Sequence, residues 1–291
     1  SLSNPSNVSI NYGMGILSIT DDDLPPSVSV DDLTTINEAA VNQNIVVRLS
    51  SPSQKTVSVD YATSDGTAMA GADYVADNGT ITFNPGVTTQ NVQIAILDDQ
   101  LDEVNEAFNV NLSNFNNASS GDNNSLVTIT DDEGLPTLSA QDNSTIAETG
   151  SIGATVTLSA PSAKTVTVAY FTADISAAAA SDYTSTTGIF TFAPGETSKS
   201  VSIPITADTI DEENETFRFE ISNPSNAVVA VNQATMTITD DDSAPTISIS
   251  DNTTINEASG ATPLTVTLSA ASERIITVNY TTANGTANSV A

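Results

Sequence analysis

The chain has 291 residues, with 36 Asp and Glu against six Lys and Arg for a net charge of −30, and it contains no His, Cys or Trp. That composition excludes zinc sites, Ser-His-Asp triads, thiol nucleophiles and disulfide frameworks. The charge repels nucleic acid and anionic membrane surfaces and leaves cations as the natural partners.

Read in chain order, residues 1–23 carry the end of a repeat unit, because Leu2-Ser-Asn-Pro aligns with Leu112-Ser-Asn-Phe and Ile221-Ser-Asn-Pro and the stretch closes on Asp21, Asp22 and Asp23. The chain opens on Ser1 with neither Met nor signal peptide, so it reads as an internal or processed segment. Residues 24–133 then alternate apolar and polar residues in short runs bounded by turn residues, which predicts strands near 27–31, 45–50, 56–62, 79–83, 91–97, 106–113 and 125–130. Core candidates are Val28, Val30, Val46, Leu49, Val57, Val59, Tyr61, Ile81, Phe83, Val92, Ile94, Ile96, Phe108, Val110, Leu112, Val127 and Ile129. Residues 134–242 repeat the pattern, and 243–291 repeat its first half. Pro26, Pro136 and Pro245 open successive units, and Asp21, Asp131 and Asp240 begin the acid runs between them.

Seven short strands in about 110 residues predict an all-β fold of tandem, immunoglobulin-like Greek-key sandwiches arranged end to end. No helical periodicity is present, and no run of about 18 apolar residues predicts a membrane span. Lys55 and Lys164 fall in the predicted turn between strands two and three, away from any buried position that a self-formed crosslink requires.

Alternate loops of a sandwich reach the same end, and here each carries acid. Repeat one offers Glu38, Asp73, the stretch from Asp98 to Glu106, and Asp131 to Glu133. Repeat two offers Glu148, Asp182, Asp208, Asp211, Glu212, Glu213, Glu215 and Asp240 to Asp242. Taken singly, an acid at a strand end is a solvated face or a guard against edge pairing. Taken together, carboxylates about 4 Å apart repel by roughly 4 kcal/mol at an effective dielectric near 20, and a hard divalent cation reverses that sign. Calcium, with six to eight oxygen ligands in flexible geometry, suits ligands drawn from several loops better than magnesium does.

The runs Thr63 to Tyr74, Gly79 to Gly86, Asp98 to Phe108 and Thr128 to Asp132 closely resemble the Calx-beta domain, and the resemblance covers both complete repeats and the two partial ones. It implies calcium sites built from an early Glu, the Asp of an Asp-Tyr pair, acids of the loop between strands five and six, and the closing acid run. By position these are Glu38, Asp73, Asp98, Asp99, Glu103, Asp131 and Asp132 in repeat one, and Glu148, Asp182, Asp208, Glu212, Asp240 and Asp241 in repeat two. Ala207 stands where Asp98 has an acid, and Ile175 and Ala180 stand where Gly66 and Gly71 do, which implies fewer ions in repeat two. In the third unit Glu257 has no companion loops.

The function expected is that of a non-enzymatic, calcium-stiffened spacer in a secreted or cell-surface adhesin, fibre or matrix protein. Its partners would be calcium ions, adjacent repeats, and a surface ligand or other copies in a fibre. The alternatives are a calcium-sensor module regulating an attached protein, as in sodium/calcium exchangers, or an adhesive module. A glycosidase-like carboxylate pair is disfavoured, because the acids sit in repeated loops and aromatic residues make up only 5% of the chain.

Overall fold

A residue pattern that alternates with period two buries one face of each strand, and the computed structural model of the protein realises that pattern in two sandwiches. The structure describes residues 1–32, 35–141, 144–251, 254, 256, 258 and 260–286. Its contacts divide the chain into a first unit, Ser1–Asp99 with Asn105–Asp132, and a second, Gln100–Val104 with Glu133–Ala291. Among the described residues no helix is long and apolar enough to cross a membrane.

The first unit contains β1 (Ser27–Val30), β2 (Ile36–Asn37), β3 (Asn42–Leu49), β4 (Val57–Ser64), β5 (Asn78–Phe83), β6 (Thr89–Ala95), β7 (Glu106–Asn116), β8 (Ser119–Ser120) and β9 (Asn124–Thr130). One sheet runs β6-β3-β1-β8 and the other β2-β9-β7-β4-β5. The seven predicted strands are all present. The additions are β2 and β8, two-residue strands that pair in parallel with β9 and β1 at the sheet edges. The core lies between the sheets, where Val28, Ile45, Val47 and Ile94 face Val59, Phe83, Phe108 and Val127.

One core assignment is corrected. Val46 is half-buried, whereas Ile45, Val47 and Leu49 point inward. A strand turns over with each residue, so Val46 and Leu49, three apart, cannot share a face. Tyr61 is likewise half-buried; it lies across from Gly79, whose missing side chain leaves room for the ring.

The second unit repeats this plan with β10 (Thr137–Ala140), β11 (Ser144–Ala147), β12 (Ser151–Leu158), β13 (Val166–Asp174), β14 (Thr187–Phe192), β15 (Ser198–Pro204), β16 (Glu215–Ser225), β17 (Val228–Val231) and β18 (Gln233–Thr239). The sheets are β15-β12-β10-β17 and β11-β18-β16-β13-β14. Beyond them β19 (Ile247–Ile249) and β20 (Val266–Leu268) form a two-stranded antiparallel ladder whose side chains stay exposed. Residues 1–26 form no strand. They nevertheless keep a mark of the repeat, since Asn4 and Asn7 have φ of 52° and 60°, Asn114 and Asn117 of 51° and 55°, and Asn223 and Asn226 of 51° and 56°. Asparagine tolerates this left-handed backbone better than most side chains do.

The loop from β4 to β5 positions an acid and is locked from inside. Asp65 Oδ1 accepts the Tyr74 hydroxyl at 2.6 Å and the Ala70 amide at 2.9 Å, and Tyr74 stacks on Phe108 with ring centroids 4.1 Å apart. In the second unit Asp174 accepts Tyr183 and Ala179, and Tyr183 stacks on Phe217 at 4.2 Å. Burial and the aspartate hold each tyrosine hydroxyl near a pKa of about 12, so it stays a donor. The turn inside the loop needs positive φ, supplied by Gly71 at 92° and by Ala180 at 79°. A side chain in that region costs about 1 kcal/mol or more. Ala180→Gly should therefore raise the melting temperature of the second sandwich by a few degrees, and Gly71→Ala should lower that of the first, as scanning calorimetry would register; the opposite signs would show that the turn is not under strain.

Candidate metal centre

The acids on the locked loops are held by their own backbones. Asp182 Oδ2 accepts the Ala178 amide at 2.5 Å, four residues back, and Asp73 Oδ2 accepts the Met69 amide at 2.5 Å. Each Asp keeps one oxygen in the turn and presents the rest of the carboxylate beyond it.

In the second unit two trios form, Asp182 with Glu212 and Glu215, and Glu148 with Asp240 and Asp242, each with ligand oxygens within 4.8 Å of one another. Glu148 and Glu212 act on each other electrostatically across the two trios, as Glu215 and Asp182 do within one. Carboxyls held this close in a buried place resist losing their last protons, and the effect is largest on Glu148 and Glu215. Burial, with Glu212, Asp208 and Asp240 adding repulsion, pushes Glu148 up to about 7. Burial and the neighbouring Asp182 push Glu215 up to about 7 as well. Glu212 is raised by burial and by the charges of Glu273, Asp208 and Asp182, and Asp242 by burial and its neighbours Asp241 and Asp240.

The donor set fits a hard divalent cation. Six carboxyls converge from four segments, and two of their oxygens, Glu148 Oε2 and Asp242 Oδ2, are buried with no hydrogen-bond partner among the described residues. A buried, unpartnered carboxylate oxygen is costly unless a cation meets it. One basic side chain reaches the same end. Arg274 pairs with Asp211 at 3.3 Å, Glu213 at 3.4 Å and Asp240 at 3.4 Å, and its Nε donates to the Glu212 carbonyl at 2.8 Å.

In the first unit the same geometry places Glu38 beside Asp131, Asp73 beside Glu106, and Asp98 beside Asp132, each pair within 4.8 Å. Glu103 lies in Gln100–Val104, the stretch that belongs to the second unit. Of the predicted ligands, Glu38, Asp73, Asp98, Asp131, Asp132, Glu148, Asp182, Glu212 and Asp240 are thus gathered with other acids, whereas Asp99, Asp208 and Asp241 are exposed and join no such group. Asp208 instead accepts the Ile210 amide at 2.7 Å and shapes its loop. Glu106, Glu215 and Asp242 were not predicted as ligands. Their signal was present: each is an acid in a stretch already singled out, the first two at the opening residue of a strand. Glu257 lies outside the described residues.

A family model described as the Calx-beta domain matches residues 21–133, 130–242 and 240–290. Sodium/calcium exchanger 1 of Canis lupus familiaris is 30% identical over 201 residues, covering 62% of this chain and 21% of that protein. The chain therefore spans about a fifth of the length of such relatives. Among solved structures, CBD12 from CALX1.2 is 22% identical with a TM-score of 0.38, covering 73% of this chain and 99% of that one. The calcium binding domain CBD12 of CALX1.1 is 22% identical with a TM-score of 0.35, covering 69% and 95%.

The raised carboxyls fix the pH dependence of the metal-free protein. Between about 4.5, the ordinary value, and about 7, the folded state holds protons on Glu148 and Glu215 that the unfolded state has released. The folded state is then the more protonated one, so stability falls as pH rises through that window and levels off above it. Thermal melts in chelator from pH 5 to pH 8 should decline, and Glu148→Gln should shrink the decline and raise the melting temperature at pH 8. Melting that rises with pH over this range would contradict the assignment.

Proposed function

Because the chain belongs to the Calx-beta domain family, we propose that it is a calcium-binding, non-catalytic module whose ions lie at the acid end of each complete sandwich. The observation that carries this reading is the cluster of six carboxyls in the second unit, two of whose oxygens are buried without a partner. Glu148, Asp240 and Asp242 would hold one ion and Asp182, Glu212 and Glu215 another. Bound calcium would supply the positive charge that offsets the repulsion among these carboxyls.

The exchanger relatives favour a calcium-sensing role, in which ion occupancy regulates an attached protein. A second reading, a calcium-stiffened spacer working outside the cell, is favoured by the tandem succession of three family matches along 291 residues. Affinity separates the two. Sensor sites bind calcium at about 10⁻⁷–10⁻⁵ M and extracellular modules at about 10⁻⁴–10⁻³ M.

Competition with a calcium indicator should place the protein in one of these ranges, and calcium at 100 times the dissociation constant should stabilise folding by about 2.7 kcal/mol for each site. Asp182→Asn combined with Glu212→Gln should weaken the second sandwich's sites by about tenfold or more, the effect of losing a charged partner worth about 1.5–3 kcal/mol. Identical melting in chelator and in millimolar calcium would remove the calcium reading altogether.

A further inference from the structure

Two aspartates of the acid loops are not part of the trios; they are buried in a contact that recurs. Asp102 is 3% exposed and Asp211 is 5% exposed. Within the second unit, the Ser162 hydroxyl donates to Asp102 Oδ2 at 2.8 Å, the Ala163 amide to the Asp102 carbonyl at 3.1 Å, and Lys164 Nζ to Asp102 Oδ1 at 2.7 Å. The Ser272 hydroxyl donates to Asp211 Oδ2 at 2.7 Å, the Glu273 amide to the Asp211 carbonyl at 3.1 Å, and Arg274 pairs with Asp211 Oδ1 at 3.3 Å. Each contact is also a parallel β-bridge. The receiving element is Ser-x-Lys/Arg in the turn that follows the second main strand of a repeat. The inserted element is an aspartate between a branched apolar residue and a glutamate, Leu101-Asp102-Glu103 and Ile210-Asp211-Glu212.

The first sandwich carries the same receiving element, Ser53-Gln54-Lys55, in the same conformation. Ser53 Oγ accepts the Lys55 amide at 3.0 Å, as Ser162 accepts Lys164 at 3.0 Å and Ser272 accepts Arg274 at 3.1 Å. The Ser53 carbonyl accepts the Gly86 amide at 2.9 Å, as that of Ser162 accepts Gly195 at 2.9 Å. Among the described residues no aspartate is inserted here. Ser53 is half-exposed where Ser162 is 2% exposed, and the Lys55 side chain is 68% exposed where that of Lys164 is 21%. In front of them opens a cleft of about 500 Å³ lined by Asp21, Asp23, Ser53, Gln54, Lys55 and Asn117.

A second ion pair beside this contact also recurs. Lys55 Nζ lies 3.5 Å from Asp21 Oδ2, and Arg274 Nη2 lies 3.4 Å from Asp240 Oδ2. The two pairs are related by one offset of 219 residues (240 − 21 and 274 − 55). In sequence, residues 2–23 correspond to 221–242 at that same offset. What the first sandwich lacks is the aspartate that Asp211 supplies.

We propose that the Ser53–Lys55 cleft is a docking socket for the aspartate loop of a further Calx-beta repeat on the amino-terminal side of the first complete sandwich. The chemistry is specific. The serine hydroxyl and a backbone amide position the carboxylate and carbonyl of one residue, and the lysine neutralises it, so asparagine or glutamate would lose the charge or the fit. The socket needs no metal and stands independently of the calcium reading.

The chain has no cysteine, so paired cysteines give a clean test. Residues 134–220 joined ahead of Leu2 complete a repeat in front of the first sandwich and bring a second copy of the Asp211 loop. In this extended chain, Asp211→Cys in the added copy with Ser53→Cys should form an intramolecular disulfide on mild oxidation, read by peptide mapping, because bridged neighbours satisfy disulfide geometry. The yield should match that of Asp102→Cys with Ser162→Cys in the same extended chain. A reference pair that closes while the socket pair stays open, or a socket pair that closes only between chains as a dimer, overturns the proposal. So does failure of the reference pair, because the contact from which the socket is inferred would then be absent.

Discussion

Carboxylates that fold into one end of a β-sandwich cannot all be ionised and unpartnered at once. Two of them 4.8 Å apart repel by about 3 kcal/mol at an effective dielectric near 20, and burial removes the water that would screen them. In the second unit six such groups meet in two trios, burial and mutual repulsion push Glu148 and Glu215 up to about 7, and Arg274 pairs with Asp240. One arginine and raised carboxyls are a partial answer in a chain of net charge −30. The arrangement is one that a divalent cation completes.

The loops hold because their anchors lie below the acids. Asp65 and Asp174 spend their charge on a buried tyrosine and a backbone amide, and the stacked pairs Tyr74–Phe108 and Tyr183–Phe217 tie that bond to the core. Repulsion among the carboxylates is therefore opposed by aromatic packing rather than relieved by spreading of the loops. The segment after β15 divides its acids among separate tasks. Asp208 shapes the turn, Asp211 is buried against Ser272, and Glu212 and Glu215 face the cluster.

The strands were legible because burial on one face writes itself as alternation. The same rule explains the misplaced Val46, since a one-residue error in phase exchanges the faces. The acid end was legible as a set of loops but not residue by residue. In the run from Asp240 to Asp242 neighbouring side chains diverge, so that Asp240 and Asp242 join Glu148 while Asp241 is exposed, and the sequence alone does not say which of three identical residues turns inward. Glu106 and Glu215 were among the loop acids but outside the positions that the resemblance implies, and each opens a strand with its side chain turned to the cluster. The contacts of Asp102 and Asp211 were invisible for a different reason: each looks like one more loop acid, and its serine partner lies about 60 residues away.

Calcium bound at these carboxyls must displace the protons that burial keeps on Glu148 and Glu215, whose pKa values are pushed up to about 7. Isothermal titration calorimetry of calcium into the full chain at pH 7, repeated in two buffers of different ionisation enthalpy, measures the protons released on binding. The account predicts binding heats that differ between the buffers and report net proton release, with Glu148→Gln releasing fewer protons. Binding heats that are the same in both buffers, or no binding at all, would contradict it.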